Sequence, residues 1–297
     1  MGLVIITGIC ILLAFTLFSV ARKRAKTPQN LPPGPNPLPI IGNIHKLGMH
    51  PHKSLAKLAQ LYGPIMRLKL GRINTIVISS SITARQVLQK QDLAFSSRPV
   101  PNAIRACDHF KNSVAWLLSA YLVKAKAELN QVIRKGKIVE ESDISKLPYL
   151  RCIVKETARL HPAAPFLLPR QVKEDVELCG YTIPKNSQVL VNAWAIGRDP
   201  ALWEHPLAFQ PERFMDSEVD VYGHNYELIP FGAGRRTCPG LPLAMRMVPV
   251  MLGSLINCFE WKLEGEVAPK ELDMEDKFGL TLAKLHLLRA AATPVVP

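Results

Sequence analysis

Gly2 to Ala21 runs for 20 residues without a charged side chain, and Arg22, Lys23, Arg24 and Lys26 follow at once. A helix of that length rises about 30 Å, the thickness of a bilayer's hydrocarbon core. The run therefore predicts a transmembrane anchor over residues 2–21. The basic residues on its C-terminal side place that side, and the body after it, in the cytosol. A cleaved signal peptide is the competing reading, for which Ser19-Val20-Ala21 offers small residues. No basic residue precedes the run, the run is long, and its charges lie on the far side, all of which favour an uncleaved anchor.

Charge tells the same story. The formal net charge of +13 suggests a nucleic acid as partner until its position is considered. Residues 1–91 carry 12 Lys and Arg and no acid, whereas residues 92–297 carry 25 bases and 24 acids. A basic end beside an apolar segment fits a lipid bilayer rather than a nucleic acid, and no nucleic-acid-binding motif is present. The six cysteines (10, 107, 152, 179, 238 and 258) are scattered without a C-x-x-C pair, which excludes zinc ribbons and disulfide-stapled scaffolds. None of the eight histidines has paired metal-ligand spacing, and His161, just ahead of Pro162, reads as a helix cap. No N-x-S/T sequon occurs, as suits a body outside the lumen.

Residues 22–39 form a basic, proline-rich hinge. Its prolines fix φ and bias their predecessors to extended geometry, so it reads as a stiff tether. Beyond it, the spacing predicts a helix over 52–62, a hairpin from Ile65–Leu70 and Thr75–Ile78, and a helix from Ser81 to about Gln91. Phe95 to Asn112 reads as loop. Tyr121–Lys135 and Leu150–Leu160 read as helices, 168–191 as short strands, and the stretch after Asp199-Pro200 as about thirty irregular residues. A last helix starts after Cys238 and runs to about Phe259, with Pro249 inside it. The class is mainly α with small β-sheets.

The chemistry lies in Phe231-Gly232-Ala233-Gly234-Arg235-Arg236-Thr237-Cys238-Pro239-Gly240. Glycines let backbone approach a flat ligand closely. Cys238 precedes a helix with Pro239 at its expected first position, where the helix dipole favours negative charge on sulfur. A thiolate in a Gly-rich loop, with a guanidinium two residues away, suits haem iron and a haem propionate. A structural cysteine in a Gly-rich turn is the bland alternative.

The spacing F-x-x-G-x-R-x-C-x-G resembles the haem-ligand loop of the cytochrome P-450 family, with Phe231, Gly234, Arg236, Cys238 and Gly240 all in place. Glu156-Thr157-Ala158-Arg159 resembles the family's E-x-x-R, and Pro211-Glu212-Arg213-Phe214 its P-E-R-F. Together they imply a structural ion cluster of Glu156, Arg159 and Arg213. Leu31-Pro32-Pro33-Gly34-Pro35 is similar to the hinge of microsomal members. The resemblance also implies that Arg98, in Phe95-Ser96-Ser97-Arg98-Pro99, and Arg170, in Pro165-Phe166-Leu167-Leu168-Pro169-Arg170, reach haem propionates. Leu167–Arg170 and Ala195–Pro200 resemble a plant branch that includes monoterpenoid hydroxylases.

The resemblance implies a haem-thiolate monooxygenase of the endoplasmic reticulum membrane. Cys238 would bind iron, electrons would come from NADPH through a membrane reductase, and a small lipophilic substrate such as a monoterpenoid would be hydroxylated. It also implies a gap. The N-terminal part is matched over 40–118 and the haem-binding part over 119–297, but the family's central distal helices fall out between them. No A/G-G-x-D/E-T motif occurs, no arginine follows Trp116 at the spacing of the family's W-x-x-x-R, and neither Met247 nor Thr237 replaces the distal threonine. No catalytic residue is therefore assigned. Two further readings follow: a catalytically inactive shortened relic or isoform, and a membrane-tethered protein that binds reductase. For this polypeptide the missing oxygen-activating helix favours the inactive form.

Overall fold

The computed structural model describes residues 30–95, 119–264, 275–279 and 281–295. The anchor, Arg98, Trp116 and the junction at 113–118 lie outside these residues. In chain order the helices are α1 (Pro51–Tyr62), α2 (Ser81–Arg85, continued by a π turn over Gln86–Lys90), α3 (Ser119–Val132), α4 (Pro148–Leu160), α5 (Ala193–Ile196) and α6 (Leu241–Cys258). The strands are β1 (Ile65–Leu70), β2 (Ile73–Ile78), β3 (Arg170–Gln171), β4 (Val176–Leu178), β5 (Tyr181–Ile183), β6 (Gln188–Val191), β7 (Phe259–Leu263), β8 (Asp276–Lys277), β9 (Ala283–Lys284) and β10 (Ala290–Pro294).

The β1–β2 hairpin pairs Ile65 with Ile78 and Met66 with Val77. Ile73 and Asn74, read from sequence as part of the turn, are strand residues, because the register closes at Leu70–Ile73 over a two-residue turn at Gly71-Arg72. Side chains alternate between faces. Ile76 and Ile78 join Val87, Leu88, Val189 and Val191 on one side, while Met66, Leu68 and Val77 meet Leu55 of α1 on the other. Each such side chain, once fully buried, contributes roughly 1.5–3 kcal/mol. β6 then lies parallel to β2, from Thr75–Gln188 to Ile78–Val191, and β3 closes the sheet against β6. The sheet thus joins the N-terminal and C-terminal parts of the chain.

The proline-rich segment docks on this sheet. Arg67 N–H donates to Pro33 O at 2.8 Å, and the Asn43 side-chain amide donates to Pro35 O and Asn36 O at 3.2 and 3.1 Å. A Cβ on Gly34 would stand 1.9 Å from Arg67 O, so only glycine permits the approach. From Leu31 onward the segment is therefore part of the body rather than a free-standing tether.

The helical part is built on α3, α4 and α6, which share Ala125, Leu129, Leu150, Ile153, Leu252 and Ile256. The helix read as Tyr121–Lys135 spans Ser119–Val132, stopping three residues before Lys135, and Gly136 N–H beyond it turns onto Asn257 O at 3.2 Å. The Glu128 carboxylate accepts from Tyr149 N–H and Leu150 N–H at 2.7 and 3.0 Å. It thereby satisfies two of the orphan donors at the start of α4 from a different helix. The irregular stretch after Asp199 contains a single 3₁₀ turn at Pro211–Phe214 before the Cys238 loop, and it wraps the C-terminal end of α4.

α6 passes through Pro249 without interruption. Among the described residues it alone is long and apolar enough to cross a membrane, with a mean hydropathy of 1.4, and 28% of it is buried. Leu243, Met247 and Met251 lie along one exposed face at 65%, 44% and 44%.

Candidate functional site

Glu156 and Arg159 sit three residues apart on α4, at 0% and 1% exposure. Arg159 Nε and Nη2 donate to the two carboxylate oxygens at 2.7 and 2.8 Å, a bidentate pair. The guanidinium also donates to the carbonyls of Gly197, Pro206 and Ala208 at 2.5, 2.8 and 3.0 Å. Glu156 further accepts from Gln210 N–H at 2.7 Å and Arg213 Nε at 3.3 Å. The structure thus brings Glu156, Arg159 and Arg213 together. Trp203 lies against both guanidiniums, 5.2 Å from Arg159 and 5.9 Å from Arg213, a contact with no sequence signal. The cluster fastens the irregular stretch 197–213 to α4, and that stretch leads to the Cys238 loop.

That loop is held at several points. Cys238 N–H donates to Phe231 O at 2.9 Å, Thr237 N–H to Gly234 O at 3.0 Å, and Leu241 N–H to Cys238 O at 3.2 Å. Because the chain is still turning at Pro239-Gly240, α6 begins at Leu241. Pro242 rather than Pro239 occupies the first turn, and Cys238 lies just ahead of the N-cap Gly240. Gly234 has φ +68°, and a Cβ there would stand 2.0 Å from Leu88 O. The loop is pressed onto the π turn after α2, which is possible only with glycine.

Asp92 adds an ionic clamp that the sequence reading missed. It accepts from Arg235 through two hydrogen bonds, the one from Nη2 at 2.9 Å. The Arg235 guanidinium holds the Asp92 carboxyl below its ordinary range, with a smaller contribution from the charge of Arg170. The only available signal was that Asp92 is the first acid after 91 residues without one. Arg170 is buried on β3 near this pair.

Phe231, Gly234, Arg236, Cys238 and Gly240 share this one loop, with Cys238 and Arg236 exposed and Phe231 half-buried. Cys152, by contrast, is buried against Met215, and burial pushes its thiol up to about 11. It is therefore poorly suited to bind metal as a thiolate. A Cβ on Gly240 would lie 3.7 Å from Cys238 Sγ, an ordinary van der Waals contact, so Gly240 borders the sulfur. Phe231 and Ala244 also line an apolar cavity of about 190 Å³ between α4 and α6, with Val154, Ala158, Ala163 and Leu252. The exposed thiol of Cys238 and the Arg236 guanidinium two residues before it have the chemistry that haem iron and a haem propionate take, and of this loop only Phe231 lines the cavity. The cavity is smaller than the roughly 300–1,000 Å³ of a usual ligand pocket. His161, which caps α4 through its N–H to Thr157 O at 2.7 Å, lines the same cavity, and burial lowers its imidazole to about 3.

The chain is similar to several known proteins. The cytochrome P450 family model matches residues 32–121 and 120–288, two blocks that meet at 120–121. Geraniol 8-hydroxylase of Swertia mussotii is 38% identical over 483 aligned positions, covering 96% of this chain and 98% of that protein. Geraniol 8-hydroxylase of Catharanthus roseus is also 38% identical, covering 94% and 97%. Geranylhydroquinone 3''-hydroxylase of Arnebia euchroma is 34% identical, covering 96% and 97%. The first alignment has more positions than the 297 residues of the chain, so it bridges a segment that the relatives have and this chain lacks. A zebrafish cytochrome P450 solved with abiraterone superposes with a TM-score of 0.71 over 84% of this chain and 100% of that one, at 18% identity, and shows the fold. With both blocks of the family model matched and hydroxylases among its relatives, the chain belongs to the cytochrome P450 family of monooxygenases, whose cofactor is haem iron bound by a cysteine thiolate.

Proposed function

We propose that the chain is a membrane-anchored haem-thiolate hydroxylase of a small lipophilic substrate, with a monoterpenoid such as geraniol as the first candidate. One observation supports this most directly: an exposed thiol at the head of an 18-residue helix, on a locked loop that shares Phe231 with an apolar cavity. Cys238 would hold the iron and Phe231 and Gly240 would border the porphyrin, while Gly234 lets the loop close onto Leu88. Arg236, Arg170 and Arg98 are the propionate partners. When bound, the haem supplies the iron centre at which molecular oxygen is activated with electrons from NADPH. The residues of the chain bind and orient: the walls of α4 and α6 exclude water from an apolar ligand, and the loop fixes the sulfur. Gly2–Ala21 anchors the body to the endoplasmic reticulum membrane, where a reductase delivers electrons.

A second reading rests on a specific observation. The family match breaks at 120–121, and Leu243, Met247 and Met251 of α6 are exposed beside the cavity. On this reading the chain holds haem on an open face and does not turn over. Full-length protein in detergent, supplied with hemin, reduced and treated with carbon monoxide, separates the readings. A thiolate-type Soret band that Cys238→Ser abolishes supports haem ligation by this sulfur. Hydroxylated geraniol after adding reductase and NADPH supports the first reading, and the band without product supports the second. A band unchanged in Cys238→Ser overturns both, and reductase binding without any band would leave only a tethered partner of reductase.

A further inference from the structure

A second, ionic feature, which the reading of Cys238 does not use, lies at the root of the β8–β9 hairpin. Asp276 opens the β8–β9 hairpin and is buried to 8% exposure. Its carboxylate lies 3.2 Å from Lys53 Nζ and 3.6 Å from His52 Nε2, both on the first turn of α1. His52 is fully buried, stacked on Phe278 of the hairpin at 5.7 Å and edge-on to Trp194 at 5.1 Å. At its other end the hairpin bonds to a residue of the cavity wall. Leu282 N–H donates to Ala163 O at 2.8 Å, and Ala163 is a cavity wall. Phe278 also meets Phe166 edge-on at 6.0 Å, three residues further along the same segment.

Two-stranded hairpins are marginal on their own. β8 and β9 share only two residue pairs, Asp276–Lys284 and Lys277–Ala283, so this hairpin takes its position from what it touches. We infer that Lys53, His52 and Asp276 form a latch that holds the β8–β9 hairpin against Ala163, making them positioning residues for the apolar cavity and so determinants of its ligand affinity. The carboxylate is nearly buried, so the pair with Lys53 is less screened than a surface ion pair, and cutting it leaves an uncompensated charge at the hairpin root. The inference rests on the cavity being a ligand site, as proposed above, but not on haem being bound.

The test uses the full chain in detergent without haem. Amide hydrogen exchange reads the hairpin through Leu282 and Leu285, whose N–H groups donate to Ala163 O and Glu275 O. Equilibrium binding of anilinonaphthalene sulfonate, an anionic dye that fluoresces in apolar surroundings, reads the cavity. Asp276→Asn and Lys53→Met are each expected to raise exchange at Leu282 about tenfold and to weaken dye affinity several-fold, and the swap Lys53→Asp with Asp276→Lys to restore both. Lys126→Met, which cuts an ion pair with Glu260 far along the chain, is the control expected to change neither. Unchanged exchange in Asp276→Asn, or an open hairpin with unchanged dye affinity, overturns the inference. Failure of the swap to restore either signal does so as well. Failure of the haem reading is a separate result, visible as a missing Soret band in the parent protein while the exchange and dye measurements stand.

Discussion

Replacing Glu156 by alanine removes the carboxylate from a site with no access to solvent. Four donors lose their acceptor: Arg159 Nε and Nη2, Gln210 N–H and Arg213 Nε. Arg159 remains at 1% exposure with its charge compensated by backbone carbonyls alone. Breaking a buried pair in this way costs about 3–5 kcal/mol. That is about a fifth or more of a typical domain's stability of about 5–15 kcal/mol. Glu156→Gln keeps an acceptor for Gln210 N–H and loses only the charge, so it should cost less. The double change Glu156→Met with Arg159→Leu removes the stranded charge but leaves the carbonyls of Gly197, Pro206 and Ala208 without their donor. It should therefore recover part of the loss and not all of it, with a coupling energy of about 1–3 kcal/mol in the cycle. Urea unfolding of full-length protein in detergent, followed by tryptophan fluorescence and analysed by linear extrapolation, measures each variant. Trp203, 5.2 Å from the Arg159 guanidinium, sits where the change occurs. If Glu156→Ala unfolds within about 0.5 kcal/mol of the parent at an unchanged slope, the ion cluster does not hold the fold and the reasoning fails.

Two other predictions concern the loop and the cavity. Gly234→Ala places a Cβ 2.0 Å from Leu88 O at φ +68°, combining about 1–2 kcal/mol of left-handed strain with an overlap the loop can relieve only by lifting off α2; the thiolate-type band should be lost or shifted while the circular dichroism of the helices persists, and an unaltered band would show that the clamp is dispensable. Burial lowers His161 to about 3, so below the ordinary imidazole value the unfolded chain takes up a proton that the folded chain refuses. Stability from this group is present at neutral pH and falls with acidification by ~1.4 kcal/mol per pH unit between about 6.5 and about 3, a decline that His161→Leu should flatten in urea titrations at pH 7.5 and 5.

α6 keeps an exposed apolar flank. The second block keeps a self-consistent helical core, because Glu128 of α3 caps α4 and Leu129 packs with Leu252. It also stays joined to the first block through β2–β6 pairing, through Gly234 on Leu88, and through Asp92 with Arg235. Among the described residues, the face carrying Leu243, Met247 and Met251 stays exposed at 65%, 44% and 44%. Apolar surface left open in this way favours association, and detergent or lipid is the appropriate medium for each experiment above.

Patterns that depend on neighbours in the chain were legible in the residues alone. Alternation over Ile65–Leu70, the helical spacing of α1 and α4, the i,i+3 placement of Glu156 and Arg159, and the ten-residue Cys238 loop are all short-range, because they lie within a few residues of one another in the chain. The uncharged run Gly2–Ala21 likewise states its own requirement for an apolar surrounding. Tertiary structure decided what distant segments share. It set β6 beside β2 across more than a hundred residues, gave Arg159 three carbonyls from residues 197–208, and set Asp92 against Arg235 and Asp276 against Lys53. It also moved the start of α6 from Pro239 to Leu241, since the turn that hydrogen-bonds Cys238 to Phe231 must close before a helix can begin. Such pairings depend on which surfaces meet when apolar faces are buried, and that is a property of the packed molecule that no local window of sequence encodes.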